Sequence, residues 1–353
     1  MEETLKKQID TEMWKMYKHL GESIDLDQVP ETVLANFLRE TLPHLSCQQI
    51  SLRLQQLRKY RKSLKHLQTL PQVAQRSPEW YELRRNRLTA SDMAQAMGRG
   101  KFGNRSQLIK KKAFPEDSSF NANSEPLRWG VMFEPIASRS YSQRMNDMVI
   151  HEFGCIPHAD IYCFGASPDG ITEMGVMVEF KCPWRRKIDG NVLEQYEIQM
   201  QGQMAVCGLE ECHFVECDIQ KLENEDEYVM QVDDDAIVDH GIVIEYPNAE
   251  EKFIYSPPYL TTTDALTWML NQPSDGKVVF WKLRKYHMCC VYFDEDRWND
   301  MVPSVIDFWK EVELLRSLPN EKTKSKGGYD KEKDNHRDKE KSVDFVEDED
   351  DIG

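Results

Sequence analysis

The chain has no apolar run approaching the ~18 to 20 residues needed for a helical membrane span, so a soluble protein is expected. Residues 1–18 lack the pattern of a secretory leader, and the nine cysteines are odd in number and scattered. Both features fit reduced thiols in an intracellular setting and exclude a disulfide framework. There is no internal repeat. Positive charge is also short: 45 Lys and Arg stand against 61 Asp and Glu, a formal net charge of -16. A polyanion is repelled by such a molecule as a whole, so a nucleic-acid partner must be met by a local basic surface or through bound cations.

What is present divides into four stretches. At 353 residues there is room for one catalytic domain of about 200 residues with additions at both ends. Residues 1–70 read as a helical accessory region, punctuated by Pro30 and Pro43, with Ile50, Leu54, Leu57, Leu64 and Leu67 at helical spacing. The last of these helices also carries Arg53, Arg58, Lys59, Arg61, Lys62 and Lys65. They read as a solvated helix face, with phosphate contact as the alternative. Residues 77–218 turn to mixed helix and strand, with strands expected at 149–153, 165–169, 176–181 and 213–218.

Residues 219–318 read as an extension of that core. Its first part is acidic and turn-rich (Glu223, Glu225, Asp226, Glu227, Asp233, Asp234 and Asp235) around β-like runs such as 242–246. A helix is expected at 262–271, a β-hairpin from 277–283 and 286–293, and a last helix over 294–315 capped by Asp294. Residues 319–353 are almost all charged or small, a composition that cannot bury a core, and are expected to be disordered.

Chemistry concentrates in one place. Ser167, Pro168, Asp169 and Gly170 are followed by Glu179, Phe180 and Lys181, with nine residues separating Asp169 from Glu179. On a strand, side chains alternate, so Glu179 and Lys181 share a face while Phe180 points the other way. Pro168 and Gly170 suit the end of one strand and the turn to the next, which sets Asp169 beside Glu179. Two carboxylates on adjacent strands offer hard oxygen ligands to Mg²⁺. A lysine two residues on can hold the attacking water and offset charge building on a phosphorane-like transition state. By itself the pattern also describes a salt-bridged acid and lysine on a strand face.

Around it stand ordered blocks that resemble the PD-(D/E)xK nucleases, and among them the lambda exonuclease, or YqaJ-like viral recombinase, group. The first block is Ser77, Pro78, Glu79 and Trp80 with Leu83, Arg84, Leu88 and Ser91. Trp129, Phe133, Glu134, Ala137 and Tyr141 form the second. Ala166 to Gly170 and Val178 to Pro183 are the third and fourth, and Tyr196, Gln199, Gln201 and Met204 the fifth. The resemblance spans residues 77–218 and implies an α/β (α+β) restriction-endonuclease-like core, a central mixed β-sheet flanked by helices, with the N-terminal helical region and C-terminal extension added.

It also implies roles. Glu134, Asp169 and Glu179 are the metal-binding acids, joined by the backbone carbonyl of Phe180. Lys181 is the catalytic lysine, and Gln201 the helix glutamine beside the site, with Gln199 as its alternate. Arg84 and Ser91 match residues that bind the terminal phosphate of the degraded strand. An arginine fork and a serine hydroxyl at a helix start suit that task; a surface ion pair for Arg84 and a plain helix cap for Ser91 are the bland readings.

Other signals are less specific. Trp184, Arg185, Arg186 and Lys187 follow the catalytic strand and are candidates for gripping the DNA backbone. A second basic patch, Arg99, Lys101, Arg105 and Lys110 to Lys112, is interleaved with Phe102 and Phe114, which either stack on bases or face inwards. Cys207, Cys212 and Cys217 beside His213 read as buried packing rather than a zinc or iron–sulfur ligand set, as do Cys289 and Cys290.

The function expected is that of a Mg²⁺-dependent deoxyribonuclease, with Mn²⁺ as a substitute. By resemblance it is a 5′-to-3′ exonuclease on duplex DNA ends in viral-type replication, repair or recombination. The partners implied are DNA, a single-strand annealing or recombinase protein, and further copies of the chain. Virus-encoded action in a host cytoplasm or nucleus belongs to the same expectation. An endonuclease of the same fold and a non-catalytic interaction protein are the rival readings.

Overall fold

Helical spacing in the first seventy residues produces α1 (Glu3–Leu20), α2 (Glu31–Thr41) and α3 (Cys47–Thr69) in the computed structural model, which describes residues 3–20, 25–101, 103–114, 124–232, 239–247, 249 and 251–318. The tail at 319–353, Phe102 and Asp233 to Asp235 lie outside the described residues. α3 starts at a capping box: the Ser46 hydroxyl accepts from the Gln49 amide while the Gln49 side chain accepts from the Ser46 amide. Its apolar stripe Ile50, Leu54, Leu57, Leu64 and Leu67 is buried, as the spacing predicts.

The basic residues of α3 form the expected solvated face only in part: Lys59, Lys62 and Lys65 are exposed, whereas Arg53 and Arg61 are not. Arg53 is fully buried between Asp10 of α1 and Glu211, at 2.5 Å and 2.6 Å. Arg61 is buried against Asp27 and Glu173, and Lys59 and Lys65 pair with Glu210 and Asp25. These cations staple the N-terminal helices to acids of the following region, a purpose that helical periodicity alone cannot reveal.

Then come α4 (Pro78–Arg85), β1 (Leu88–Thr89), α5 (Ala90–Ala96), α6 (Arg105–Ala113) and α7 (Glu125–Arg144). The sheet-forming stretch is β2 (Ile150–His151), β3 (Ile156–Pro157), β4 (Phe164–Ala166), β5 (Gly170–Thr172), β6 (Met177–Lys181), α8 (Glu194–Cys207) and β7 (Glu211–Leu222). The chain closes with α9 (Glu225–Gln231), β8 (His240–Glu245), β9 (Phe253–Tyr255), α10 (Thr262–Leu270), β10 (Lys277–Tyr292) and α11 (Glu295–Ser317).

Seven strands form one mixed sheet in the order β2-β5-β6-β7-β10-β8-β9, and β1-β4-β3 make a small second one. Within the large sheet only β6 and β7 run parallel; α8 is the crossover between them, as a parallel pair requires. α8 covers one face, where Tyr196 meets Phe214, and α7 the other, where Tyr141 meets Phe180. The mixed α/β core expected from sequence is therefore present, and the N-terminal helices share its main apolar cluster.

Two expectations change. The strand predicted at 165–169 is shorter and ends at Ala166, because Pro168 lacks an amide for a ladder and the chain there leaves one sheet for the other. The hairpin predicted at 277–293 is one 16-residue strand, β10. Its Arg284 sits at a bulge between Leu283 and Lys285 and pairs with Asp218, so the charged break shifts register without reversing the chain.

Two glycines allow close approach. A Cβ on Gly175, at φ 80°, would lie 2.5 Å from the Tyr60 backbone, so the β5–β6 turn nests against α3 only without a side chain. Gly202 of α8 faces Phe164 and Ala90 in the same way and draws α8 onto α5.

Burial alone would raise the Glu211 carboxyl, yet the His213 bond and the Arg53 guanidinium outweigh it and hold it well below its ordinary 4.5. Its contribution to stability is therefore complete above that ordinary value and declines as the medium is acidified below it. Arg53→Ala strands two buried carboxylates and is expected to cost about 3–5 kcal/mol. Urea unfolding at neutral pH measures the loss, which should shrink at acid pH as Glu211 takes up a proton.

Candidate functional site

Strand alternation and a parallel register set the centre of the site. β6 pairs with β7 so that Glu179 lies beside Phe214 and Lys181 beside Glu216. Glu179 and Lys181 face α8, and the Lys181 ammonium is 3.0 Å from Glu179 Oε1. Glu179 is 1% exposed. A carboxylate so far from water needs donors, and α8 supplies two: Gln199 Nε2 donates to Oε1 at 2.6 Å and Gln203 Nε2 to Oε2 at 2.8 Å.

Asp169 comes from the link between β4 and β5. Its Oδ2 accepts the Phe180 amide at 2.7 Å, which fixes it across from Glu179. Gln75 holds this link by donating to the Pro168 carbonyl at 3.3 Å, and Gln203 does so by donating to the Ser167 carbonyl at 3.4 Å. Glu134 lies inside α7 despite the following Pro135 and pairs with Arg76 at 2.9 Å. A cavity of about 800 Å³ is lined by Glu134, Asp169, Phe180 and Arg76.

The electrostatics are strained towards negative charge. Burial first, then Glu179 and Glu134, push the Asp169 carboxyl well above the usual range. Burial likewise raises Glu134, against the opposing pull of Arg76 and Lys181. For Lys181 burial works to lower the value, but Glu179, Tyr196 and Asp169 outweigh it and keep the ammonium protonated. Three crowded carboxylates with one buried lysine and one arginine between them are a hard-oxygen donor set short of positive charge, which fits a divalent cation such as Mg²⁺. Glu179 Oε1 is taken up by Gln199 and Lys181, whereas Oε2 keeps a lone pair beyond its bond from Gln203.

Gln201, expected beside the acids, is not there. Two residues along a helix are turned by about 200°, so Gln201 faces away from Gln199 and Gln203. It donates to the Tyr292 carbonyl and accepts the Asp294 amide, pinning the start of α11 to α8. Gln199, the alternate, occupies the place instead. Gln203 was missed altogether, although its spacing of four from Gln199 puts both on one helix face. Arg76, at φ 65°, carried no motif that marked it.

Arg84 and Ser91 are brought together, with Arg84 Nη2 donating to Ser91 Oγ at 2.9 Å. The guanidinium also lies 4.3 Å over the Trp80 ring, whose Nε1 donates to Ser167 Oγ at 3.1 Å, tying the pair to the Asp169 link. Ser91 does not cap α5; Thr89 precedes that helix and Ser91 lies in its first turn. Lys112 of α6 is buried against Asp92 at 2.8 Å and donates to the Arg84 carbonyl, so the expected basic patch is partly spent on structure. Arg99 and Arg105 pair with Glu194 and Glu311, and Phe114 packs on the second apolar cluster.

Arg186, a candidate DNA grip, is instead drawn to the buried Glu216 of β7. Its charge is neutralised there because Glu216 is 1% exposed and requires a partner. Arg185 remains exposed, stacked 3.9 Å from Trp184. Cys207, Cys212 and Cys217 are buried in the main apolar cluster. A separate group, Glu211, His213 and Cys290, has ligand atoms within 4.8 Å of one another. Arg53 and Lys6 already hold Glu211 and the Tyr141 hydroxyl meets His213 at 2.7 Å, so a cation there would face two existing positive charges. No helix of the described residues is long and apolar enough to cross a membrane.

Comparison with known proteins gives a family match over residues 79–210, to the YqaJ-like viral recombinase domain. A protein of Acanthamoeba polyphaga mimivirus, itself uncharacterised, is 22% identical over 303 residues, covering 71% of this chain. The chain spans 54% of that protein's length. Among solved structures, an alkaline exonuclease from Laribacter hongkongensis is similar at TM-score 0.45 and 22% identity, over 67% of this chain and 93% of that one. A phage-related exonuclease from Haemophilus somnus follows at TM-score 0.37 and 11% identity, over 65% and 93%.

If α8 positions Glu179 through Gln199 and Gln203, Gln203→Ala will weaken Mn²⁺ binding about tenfold, the cost of one charge-assisted hydrogen bond. Calorimetric titration checks this. Gln201→Ala, in contrast, should leave Mn²⁺ affinity unchanged and lower the melting temperature.

Proposed function

We propose, from the match of residues 79–210 to the YqaJ-like viral recombinase domain, that the chain is a metal-dependent deoxyribonuclease acting on DNA ends. The observation that carries this reading is the buried Glu179, paired with Lys181 and crowded by Asp169 and Glu134. A deficit of positive charge beside a fixed lysine is what phosphodiester hydrolysis uses.

Glu134, Asp169, Glu179 and the Phe180 carbonyl would hold Mg²⁺, or Mn²⁺ in its place, which supplies Lewis acidity to the phosphate and acidifies a bound water. Gln199 and Gln203 orient Glu179 by donating to its two oxygens. Lys181, protonated, fixes the attacking water by donating to it and opposes charge building on the phosphoryl oxygens. Arg84 and Ser91 offer a guanidinium fork and a hydroxyl to a terminal phosphate. Degradation would then begin at a 5′-phosphorylated end and proceed 5′ to 3′. The mimivirus relative and the family's name support a virus-type role in recombination.

Lys181→Ala should abolish Mg²⁺-dependent cleavage of linear duplex while leaving DNA binding within a few fold; cleavage retained by a pure sample of this variant ends the mechanism. An end-dependent enzyme will digest linear duplex and leave closed circles intact. Nicked or linearised circles would favour endonuclease action. Arg84→Ala should reduce the preference for a 5′-phosphate over a 5′-hydroxyl end by roughly 10- to 100-fold, the worth of a charge-assisted bond. End-labelled digestion time courses read it directly.

A further inference from the structure

The cavity beside the acids continues along α7, where Ser138, Arg139 and Ser142 line it beyond Glu134. Arg139 stands apart from most arginines of the fold. Arg53, Arg61, Arg76, Arg105, Arg128 and Arg144 each meet a carboxylate. Arg139 makes no ion pair among the described residues; its Nη1 donates to the Ser256 carbonyl at 2.7 Å. It is only partly exposed, and burial lowers its pKa below the ordinary value. A guanidinium in such a place costs free energy until an anion neutralises it, and most of its five N–H donors remain to be used.

Two further acids line the same cavity. Asp147 takes Lys18 at 3.2 Å and the Tyr259 hydroxyl at 2.9 Å. Glu152 lies on the acid side, near enough to Glu134 to add to its repulsion. Ser138, one turn after Glu134, faces the cavity next to Arg139 with its hydroxyl unbonded among the described residues. Five residues of helix advance about 7.5 Å, more than one nucleotide rise of about 3.4 Å, so Arg139 reaches a phosphate other than the one beside Glu134.

We propose that Arg139, with Ser138, is a subsite for a non-scissile backbone phosphate of the strand held at the acids, next along the strand from the reacting one. The Ser256 carbonyl, from the segment after β9 and outside residues 79–210, positions the guanidinium. This rests on the nuclease reading but is tested by binding rather than cleavage.

The experiment compares the full-length wild type, Arg139→Ala and Arg139→Gln on a labelled 5′-phosphorylated duplex, with Ca²⁺ replacing Mg²⁺ and NaCl varied. Arg139→Ala should bind about tenfold more weakly, and the slope of log affinity against log salt should fall by about one. A single neutral methylphosphonate, walked along the strand, should weaken wild-type binding at one internal position where it no longer affects the variant. Arg139→Gln repeats both measurements if the alanine variant melts at lower temperature.

An unchanged salt slope in folded variants, or the same methylphosphonate profile in variant and wild type, overturns the subsite. Cleavage by wild type without any Arg139 effect removes the subsite alone. An Arg139-dependent slope in a wild type that cannot cleave removes the nuclease reading and leaves the subsite standing.

Discussion

Burying the Glu179 carboxylate is the constraint around which the rest of the molecule is arranged. Removed from water, the carboxylate is satisfied by Gln199, Gln203 and Lys181, which reach it from two elements. Those contacts require β6 and β7 to run parallel, since only then does the crossover helix α8 return over the face that carries Glu179. The same carboxylate repels Asp169 and Glu134, so one buried charge sets the helix position, the protonation of Lys181 and the demand for a cation.

Rigidity at that centre is supplied from a distance. Arg53 and Lys6 clamp Glu211 at the first residue of β7, and Arg61 reaches Glu173 near the β5–β6 turn. α3 therefore holds both the strand beside the active pair and the turn that precedes it. Basic residues that resemble a nucleic-acid face are here the fastening of helices to sheet. Among the described residues, Arg84, Arg139 and Arg185 are cations that meet no carboxylate, local positive charge on a strongly acidic chain.

The C-terminal extension widens the sheet and also braces α7, the helix that lines the cavity. Tyr255 of β9 donates to the Met132 carbonyl of α7 at 3.0 Å, and the next residue holds Arg139. Its hydroxyl is affected, after burial, by Arg76, Glu134 and Arg139, so β9 lies against the acid helix itself. The extension thus holds the helix that carries Glu134 and Arg139.

Residue order alone determined the acid pair and lysine, because strand alternation is a local rule: Glu179 and Lys181 share a face wherever the strand lies. The apolar stripe of α3, the capping aspartate of α11 and the meeting of Arg84 with Ser91 were legible from spacing and ordered blocks. The fate of charge was decided only by tertiary structure. Whether Arg53, Arg61 and Arg186 meet water or a buried carboxylate depends on acids up to 158 residues away, and no local pattern records such a partner. Gln201 and Gln203 show the boundary closely: helical geometry separates their faces, but only the docking of α8 on β6 decides which face meets Glu179. Arg284 likewise makes a bulge instead of a turn because Asp218 waits on the neighbouring strand.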